Sequence, residues 1–275
     1  MAPNTKNGLR GEEKGGLLAP QRQQRIGEHV TQRGDARITD LAQIFAVTEE
    51  TVRRDLKQLE AAGVVRRVHG GAIRGTPAYD TSLSHRMTDA AEVKDRIAAA
   101  ALPLIGKTRT VFIDEGSLTV RVAKLLVGQP ELHILTNMPA VAEAASAGPH
   151  EIELTGGILH RRDQFLRGEA PLQEIRNRLF DLTIMGTSGF DLETGMLANE
   201  SYTAQLRRLL VSRSRRVMVL ARSSNFGRNA SWCVAPFSSI HTIVTDEDPP
   251  KTFAEVLSAS GVHVEVARCP MLEDV

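Results

Sequence analysis

Residues 51–72 read TVRRDLKQLEAAGVVRRVHGGA: two arginine pairs, an amphipathic run between them and a closing His-Gly-Gly. Val52, Leu56 and Leu59 recur at four- and three-residue steps and so define one buried stripe on a helix. Helical geometry then turns Thr51, Arg53, Arg54 and Lys57 away from that stripe. A guanidinium fork pairs bidentately with guanine O6 and N7, and cationic side chains meet phosphates. Two readings fit: a charged helix that faces water and stops at Gly63, or a surface that grips nucleic acid. Past the helix, Val64, Val65 and Val68 favour extended structure carrying Arg66 and Arg67 and turning at His69-Gly70-Gly71. That hairpin would be a β-wing lying against a DNA backbone. Asp55 reads as a structural acid pairing with a nearby arginine, not as a base reader.

A second set of residues recurs where apolar runs end. Asp114-Glu115-Gly116-Ser117-Leu118-Thr119 closes one run, and Thr136-Asn137, Gly156-Gly157 and Gly186-Thr187-Ser188-Gly189 close three more. Glycines let a backbone approach a ligand, and hydroxyls beside a helix N-terminus make an anion or phosphate cradle. Singly, each is an ordinary turn; convergence at equivalent strand ends is what would make them a site. His160-Arg161-Arg162 is either a further anion contact or a solvated loop. Asp114 and Glu115 are the carboxylates at the first strand end, and moving a proton alpha to a carbonyl needs such a base. A sugar-phosphate isomerase-like enzyme is therefore an alternative reading. The eight histidines are scattered and no His or Cys pair has ligand spacing, so neither metal nor cofactor is expected.

The elements that must position these residues fall into two textures. From Pro20 to residue 73 the pattern is compact and helical. One helix spans Gln21 to Arg33, and Gly34-Asp35 turns the chain. A second helix carries Leu41, Ala42, Ile44 and Phe45, with Thr39 able to cap it, and a third is capped at Thr48, with Glu49 and Glu50 where the helix dipole favours acids. Between residues 20 and 75 ten Lys/Arg face seven Asp/Glu, a net of +3 that does not by itself decide for DNA. Residues 74–90 have weak periodicity and read as a linker. From 91 to 270 seven apolar runs (111–114, 133–136, 151–155, 182–186, 217–221, 242–246 and 262–266) alternate with helical patterns at 117–127, 139–147, 171–179, 200–213 and 251–260. Such alternation implies a mostly parallel α/β sheet covered on both faces, with ligands beyond the carboxyl ends of its strands. Residues 1–19 hold almost no large apolar side chains and read as a disordered tail. Two cysteines, no apolar signal segment and no run near 18 apolar residues set the expectation of a cytoplasmic protein that does not enter a membrane.

The stretch TDLAQIFAVTEETVRRDLKQLEAAGVVRRVHGGA resembles the N-terminal winged helix-turn-helix of the DeoR family of bacterial transcriptional repressors. Leu41-Ala42, Val47-Thr48, Thr51 to Leu56, Leu59-Glu60, Gly63, Arg67 and His69 to Ala72 carry the resemblance. It implies an α/β protein of two parts: a winged helix-turn-helix that binds double-stranded operator DNA, and a Rossmann-like effector domain related in fold to ribose-5-phosphate isomerase and glucosamine-6-phosphate deaminase. Thr48, Thr51, Arg53, Arg54, Lys57, Arg66, Arg67 and His69 are the implied DNA contacts. In the second part Asp114, Gly116, Ser117 and Thr119 fit the family's first loop, and Thr136, Asn137, Gly156, Gly157 and Gly168 fit the next three motifs. Arg86 and Lys94 to Ala98 match the helix that opens the domain. The last motif departs: Ala221-Arg222-Ser223-Ser224-Asn225-Phe226 has Arg222 where Asp is usual and Asn225 where Lys is usual, and Thr203-Ala204 replaces a Glu-Ala pair. Arg222 is then the cation left to meet an anionic effector, though arginine and lysine are not interchangeable. The expectation is a homo-oligomeric repressor, dimer or tetramer, released from DNA by a phosphorylated sugar or related metabolite. In the other alternative, the second part only oligomerises.

Overall fold

The computed structural model describes residues 19–61, 64–68, 70–74 and 83–268. Residues 1–18 of the tail read as disordered, the Gly63 stop, His69 and Cys269 lie outside them, Ala19 instead begins a helix, and of Arg66 only the backbone is described. Two compact units, residues 1–80 and 81–275, are taken in turn.

In the first unit α1 (Ala19–Arg33), α2 (Ile38–Ile44) and α3 (Glu49–Ala61) enclose Ile26, Val30, Leu41, Val52, Leu56 and Leu59, so the stripe on α3 faces the core. The strand β2 (Val65–Val68) pairs antiparallel with β3 (Gly71–Arg74), and β3 pairs on its other side with β1 (Asp35–Arg37). The sequence read Asp35 as part of a turn; it starts a strand, because Gly71 offers β1 a seat no side chain could share. A Cβ on Gly71 would lie 2.4 Å from the Ala36 carbonyl oxygen. Nor does Thr39 cap α2: the helix begins at Ile38, its N-cap Arg37 makes no side-chain cap bond, and the Thr39 hydroxyl donates to Asp40 instead.

The second unit opens with α4 (Leu83–Thr88) and α5 (Ala91–Ile105). The six residues of α4 fall inside the stretch read as a linker. Leu83 is buried in the core and Met87 packs partly against it, too little for a period to register. There follow β4 (Thr110–Ile113), α6 (Ser117–Leu125), β5 (His133–Thr136), α7 (Pro139–Ala145), β6 (Glu151–Leu154), a hairpin of β7 (Ile158–Leu159) and β8 (Leu166–Arg167), and α8 (Glu169–Arg176). Then come β9 (Phe180–Gly186), β10 (Gly189–Asp191), β11 (Gly195–Ala198), α9 (Ser201–Arg213), β12 (Ser214–Leu220), β13 (Trp232–Ala235), β14 (Thr242–Thr245), α10 (Lys251–Ala259) and β15 (His263–Val266). All seven apolar runs become strands of one sheet, ordered β15-β14-β12-β9-β4-β5-β6, and every pairing in it is parallel. Side chains alternate across it with the period of two. Val111, Ile113, Leu182 and Ile184 pack under α5, α6 and α7, while Phe112, Met185, Val217 and Val219 pack under α8, α9 and α10. A small antiparallel sheet, β10-β11-β13, had no signal in the sequence reading.

Candidate functional site

On α3 the Thr48 hydroxyl accepts the Thr51 amide at 3.2 Å and lies 2.9 Å from the Thr51 hydroxyl, so both threonines finish the helix start. Arg53, Arg54 and Lys57 point outward. Arg53 is held by its own turn, 2.8 Å from Glu49 and 3.5 Å from Glu50. Arg54 and Lys57 have no ion partner among the described residues and are the cations free to reach a duplex. Arg67 also has a partner: its guanidinium and its backbone N–H reach Glu60 at 2.7 and 2.8 Å, fastening the wing to α3. Asp55 is buried and bound to Arg22 and Gln23 of α1 at 2.6 and 2.8 Å, so it braces the helix from behind and reads no base.

In chain order the seven parallel strands run 3-2-1-4-5-6-7 across the sheet, so the winding reverses between β4 and β9. A sheet wound this way opens a crevice at the carboxyl ends of the two strands flanking the reversal. Asp114 stands there at the end of β4, fully buried, its N–H donating to the Ile184 carbonyl of β9 at 3.0 Å. Arg207 of α9 closes on it, Nε 2.7 Å from Asp114 and Nη2 3.1 Å from Glu115. Burial pushes the Glu115 carboxyl up to about 7, against the Arg207 charge that favours ionisation and with Asp114 opposing it. Asn137 of the neighbouring strand end donates to Asp114 at 3.4 Å.

These contacts sort the expected residues. The Thr119 hydroxyl donates to the Gly116 carbonyl, and that of Thr136 donates to Ile113 and accepts from Met138 N–H. Both are spent on shaping the loops. Gly157 sits at φ +124°, and a Cβ there would lie 2.6 Å from the Arg167 carbonyl oxygen, so this glycine lets β7 fold onto β8. Gly168 receives the Tyr202 hydroxyl on its carbonyl at 3.0 Å; Gly156 is exposed, and Ser117 begins α6 nearly buried. What stays open is deeper: Asn137 Oδ1 and Thr155 Oγ1, on residues 1% and 3% exposed, have no hydrogen-bond partner among the described residues. Arg207 and Thr155 were missed by the sequence reading. The signal for Arg207 was present, since it lies in phase with the buried Thr203, Ala204 and Leu210 of α9, and a cation on a buried face calls for a buried acid.

The departing motif is accounted for locally. Asn225 accepts the Arg222 N–H at 2.8 Å and donates to the Ser188 carbonyl at 3.3 Å, capping a 3-10 turn at the end of β12. His160, Asp163 and Glu200 bring ligand atoms within 4.8 Å of one another. Arg86 holds Asp163 at 2.5 Å, and Arg162 reaches Asp163 at 3.3 Å and Glu200 at 3.4 Å, so those carboxylates already carry cations. Arg162 is thereby an exposed turn residue that also takes part in ion pairs.

A winged helix-turn-helix followed by a parallel α/β unit with a ligand-type crevice defines a DNA-binding transcription regulator. Residues 22–77 match the DeoR-like helix-turn-helix domain and residues 89–247 the DeoR C terminal sensor domain. The chain is 33% identical over 247 residues to the glycerol-3-phosphate regulon repressor of Escherichia coli (strain K12), across 90% of this chain and 98% of that one. It is 28% identical over 249 residues to the HTH-type transcriptional regulator GlpR of Haloferax volcanii, again across 90% and 98%. The chain belongs to the DeoR family of transcription regulators. Among solved structures, ribose 5-phosphate isomerase A from Methanocaldococcus jannaschii shares 11% identity over 49% of this chain and 54% of that one, with a TM-score of 0.36. Among the described residues no helix is long and apolar enough to cross a membrane.

Proposed function

We propose that the protein is a homo-oligomeric repressor of carbohydrate-related genes, released from its operator by a phosphorylated sugar or polyol bound beside Asp114. One observation carries the effector half: Asn137 Oδ1 and Thr155 Oγ1 are buried without a partner among the described residues at adjacent strand ends, where the hydroxyls of a polyol would satisfy them. The family relative from Escherichia coli, whose name specifies glycerol 3-phosphate, supports a small phosphorylated ligand. Paired readers are expected because one winged domain reads few base pairs and symmetric operators need two. In this reading the site binds its ligand without converting it: Asp114 and Glu115 are both held by Arg207, and Asn225 stands where the family resemblance leads one to expect a lysine.

Glycerol 3-phosphate and a panel of hexose phosphates should be titrated into the full chain. A ligand at a hundred times its Kd adds about 2.7 kcal/mol to stability. The active compound should therefore raise the melting temperature and release operator duplexes selected from random sequence. If no phosphorylated sugar does either, the effector reading fails. On the DNA side Arg54 reads a base edge and Lys57 a phosphate. Arg54→Ala should cost about 1–3 kcal/mol of specific binding and relax discrimination at one operator position. A gel-shift titration with unchanged affinity and unchanged base preference would remove Arg54 from that role.

A further inference from the structure

The seven-residue stretch from Leu83 to Asp89 is the first part of the α/β unit that the chain reaches after the DNA-binding unit, and it is tied down by cations. Lys94 of α5, 5% exposed, donates to the Arg86 carbonyl at 2.5 Å. Arg121 of α6 donates to the Met87 carbonyl at 2.6 Å, and the Arg86 side chain is clamped to Asp163. The Leu83 N–H donates to the Arg162 carbonyl at 3.3 Å. Last in the stretch, Asp89 places one oxygen, Oδ2, 3.3 Å from Arg222 and 3.8 Å from Lys94.

The charges here do not balance. Arg86 has Asp163 and Arg121 has Asp95, but Lys94 and Arg222 share the single carboxylate of Asp89. Burial, with Asp89 resisting and Arg222, Arg121 and Arg86 adding to it, brings the Lys94 ammonium down to about 8. Ala90, which follows Asp89, is held at φ 48° and ψ 44°, a left-handed conformation that a non-glycine residue keeps only where its surroundings enforce it. The joint is strained and its fastening is a competitive one.

We propose that Lys94 and Arg222 form an oxyanion seat occupied by the chain's own Asp89, and that a phosphate group displaces Asp89 and loosens the stretch from Leu83 to Asp89. A phosphate monoester brings up to two negative charges where the carboxylate brings one, matching the two cations. The charge reversal at position 222, an arginine where the family resemblance leads one to expect an acid, then has a use: Asp89 supplies the acid from the neighbouring stretch. That this movement reaches the operator-binding unit rests on the function proposed above; the seat itself does not.

Inorganic phosphate is the probe, titrated into the full chain at constant ionic strength by calorimetry, with amide exchange followed over residues 83–90. Asp89→Asn should bind phosphate about tenfold more tightly than the unaltered chain, because the resident competitor has lost its charge, and Arg222→Gln at least about tenfold more weakly. Phosphate should speed exchange over residues 83–90 in the unaltered chain and change it little in Asp89→Asn, where the stretch is already loosened. Equal phosphate affinity in all three chains, weaker binding in Asp89→Asn, or no phosphate binding in any of them would overturn the proposal. If phosphate behaves as expected but no phosphorylated sugar releases operator, the seat stands and the effector reading falls. If a sugar phosphate releases operator with the same affinity in all three chains, the reverse holds.

Discussion

Asp55→Ala is expected to abolish operator binding without removing any contact to DNA. The Asp55 side chain is 2% exposed and that of its partner Arg22 13%, with Nε 2.6 Å from the carboxylate. Removing one member of a buried pair withdraws the attraction that offsets the pair's desolvation, at a cost of about 3–5 kcal/mol. A unit built on the eight-residue core around Ile26 and Leu56 has little stability to spare, since whole domains hold about 5–15 kcal/mol. The variant should therefore leave α1 and α3 unprotected in amide exchange while the α/β unit stays protected. Adding Arg22→Met, which replaces the second member of the pair and keeps the packing, should recover much of the loss, because apolar replacement of both partners is often close to neutral. Full operator affinity in Asp55→Ala, with protected α3 amides, would show that the pair braces nothing.

The same residue marks how far sequence reasoning reached. The stripe of Val52, Leu56 and Leu59 fixed which side of α3 is inward, and apolar runs alternating with helical patterns placed all seven strands of the parallel sheet, because both signals are local and repeat. Elements without a repeat were invisible: β1 is three residues long and depends on the closeness of Gly71, and α4 has a single buried anchor. In the site, residue types at strand ends were legible but their partners were not. Arg207 lies 93 residues from Asp114, and only the fold brings them to 2.7 Å. Charge counting also hid how many cations are spent internally. Arg53 and Arg67 look equal to Arg54 in sequence, yet each already has a glutamate within 2.8 Å. The hydroxyl of Thr136, expected to face a ligand, caps a neighbouring strand, while that of Thr155, one strand further on, remains open.

Arg207→Ala should do to the α/β unit what Asp55→Ala does to the smaller one, and pH should expose the mechanism. Its side chain is 5% exposed and holds two acids, one of them with a fully buried side chain, so its removal should cost about 3–5 kcal/mol near neutral pH. Glu115 has its folded-state pKa raised by burial to about 7, above its ordinary value of 4.5. The stability tied to its protonated form is thus fully present below about 4.5 and is lost as pH rises through about 7. In the unaltered chain Arg207 limits that loss by favouring the carboxylate; without it the folded-state pKa climbs further and the loss continues to higher pH. The gap between the two chains should therefore be smaller at pH 5 than at pH 8, where both carboxylates would have to be carried without the guanidinium. Thermal or urea unfolding followed at the two pH values measures it. A gap that is the same at both would mean that Arg207 contributes packing alone, and that the acids at the end of β4 owe their arrangement to something other than its charge.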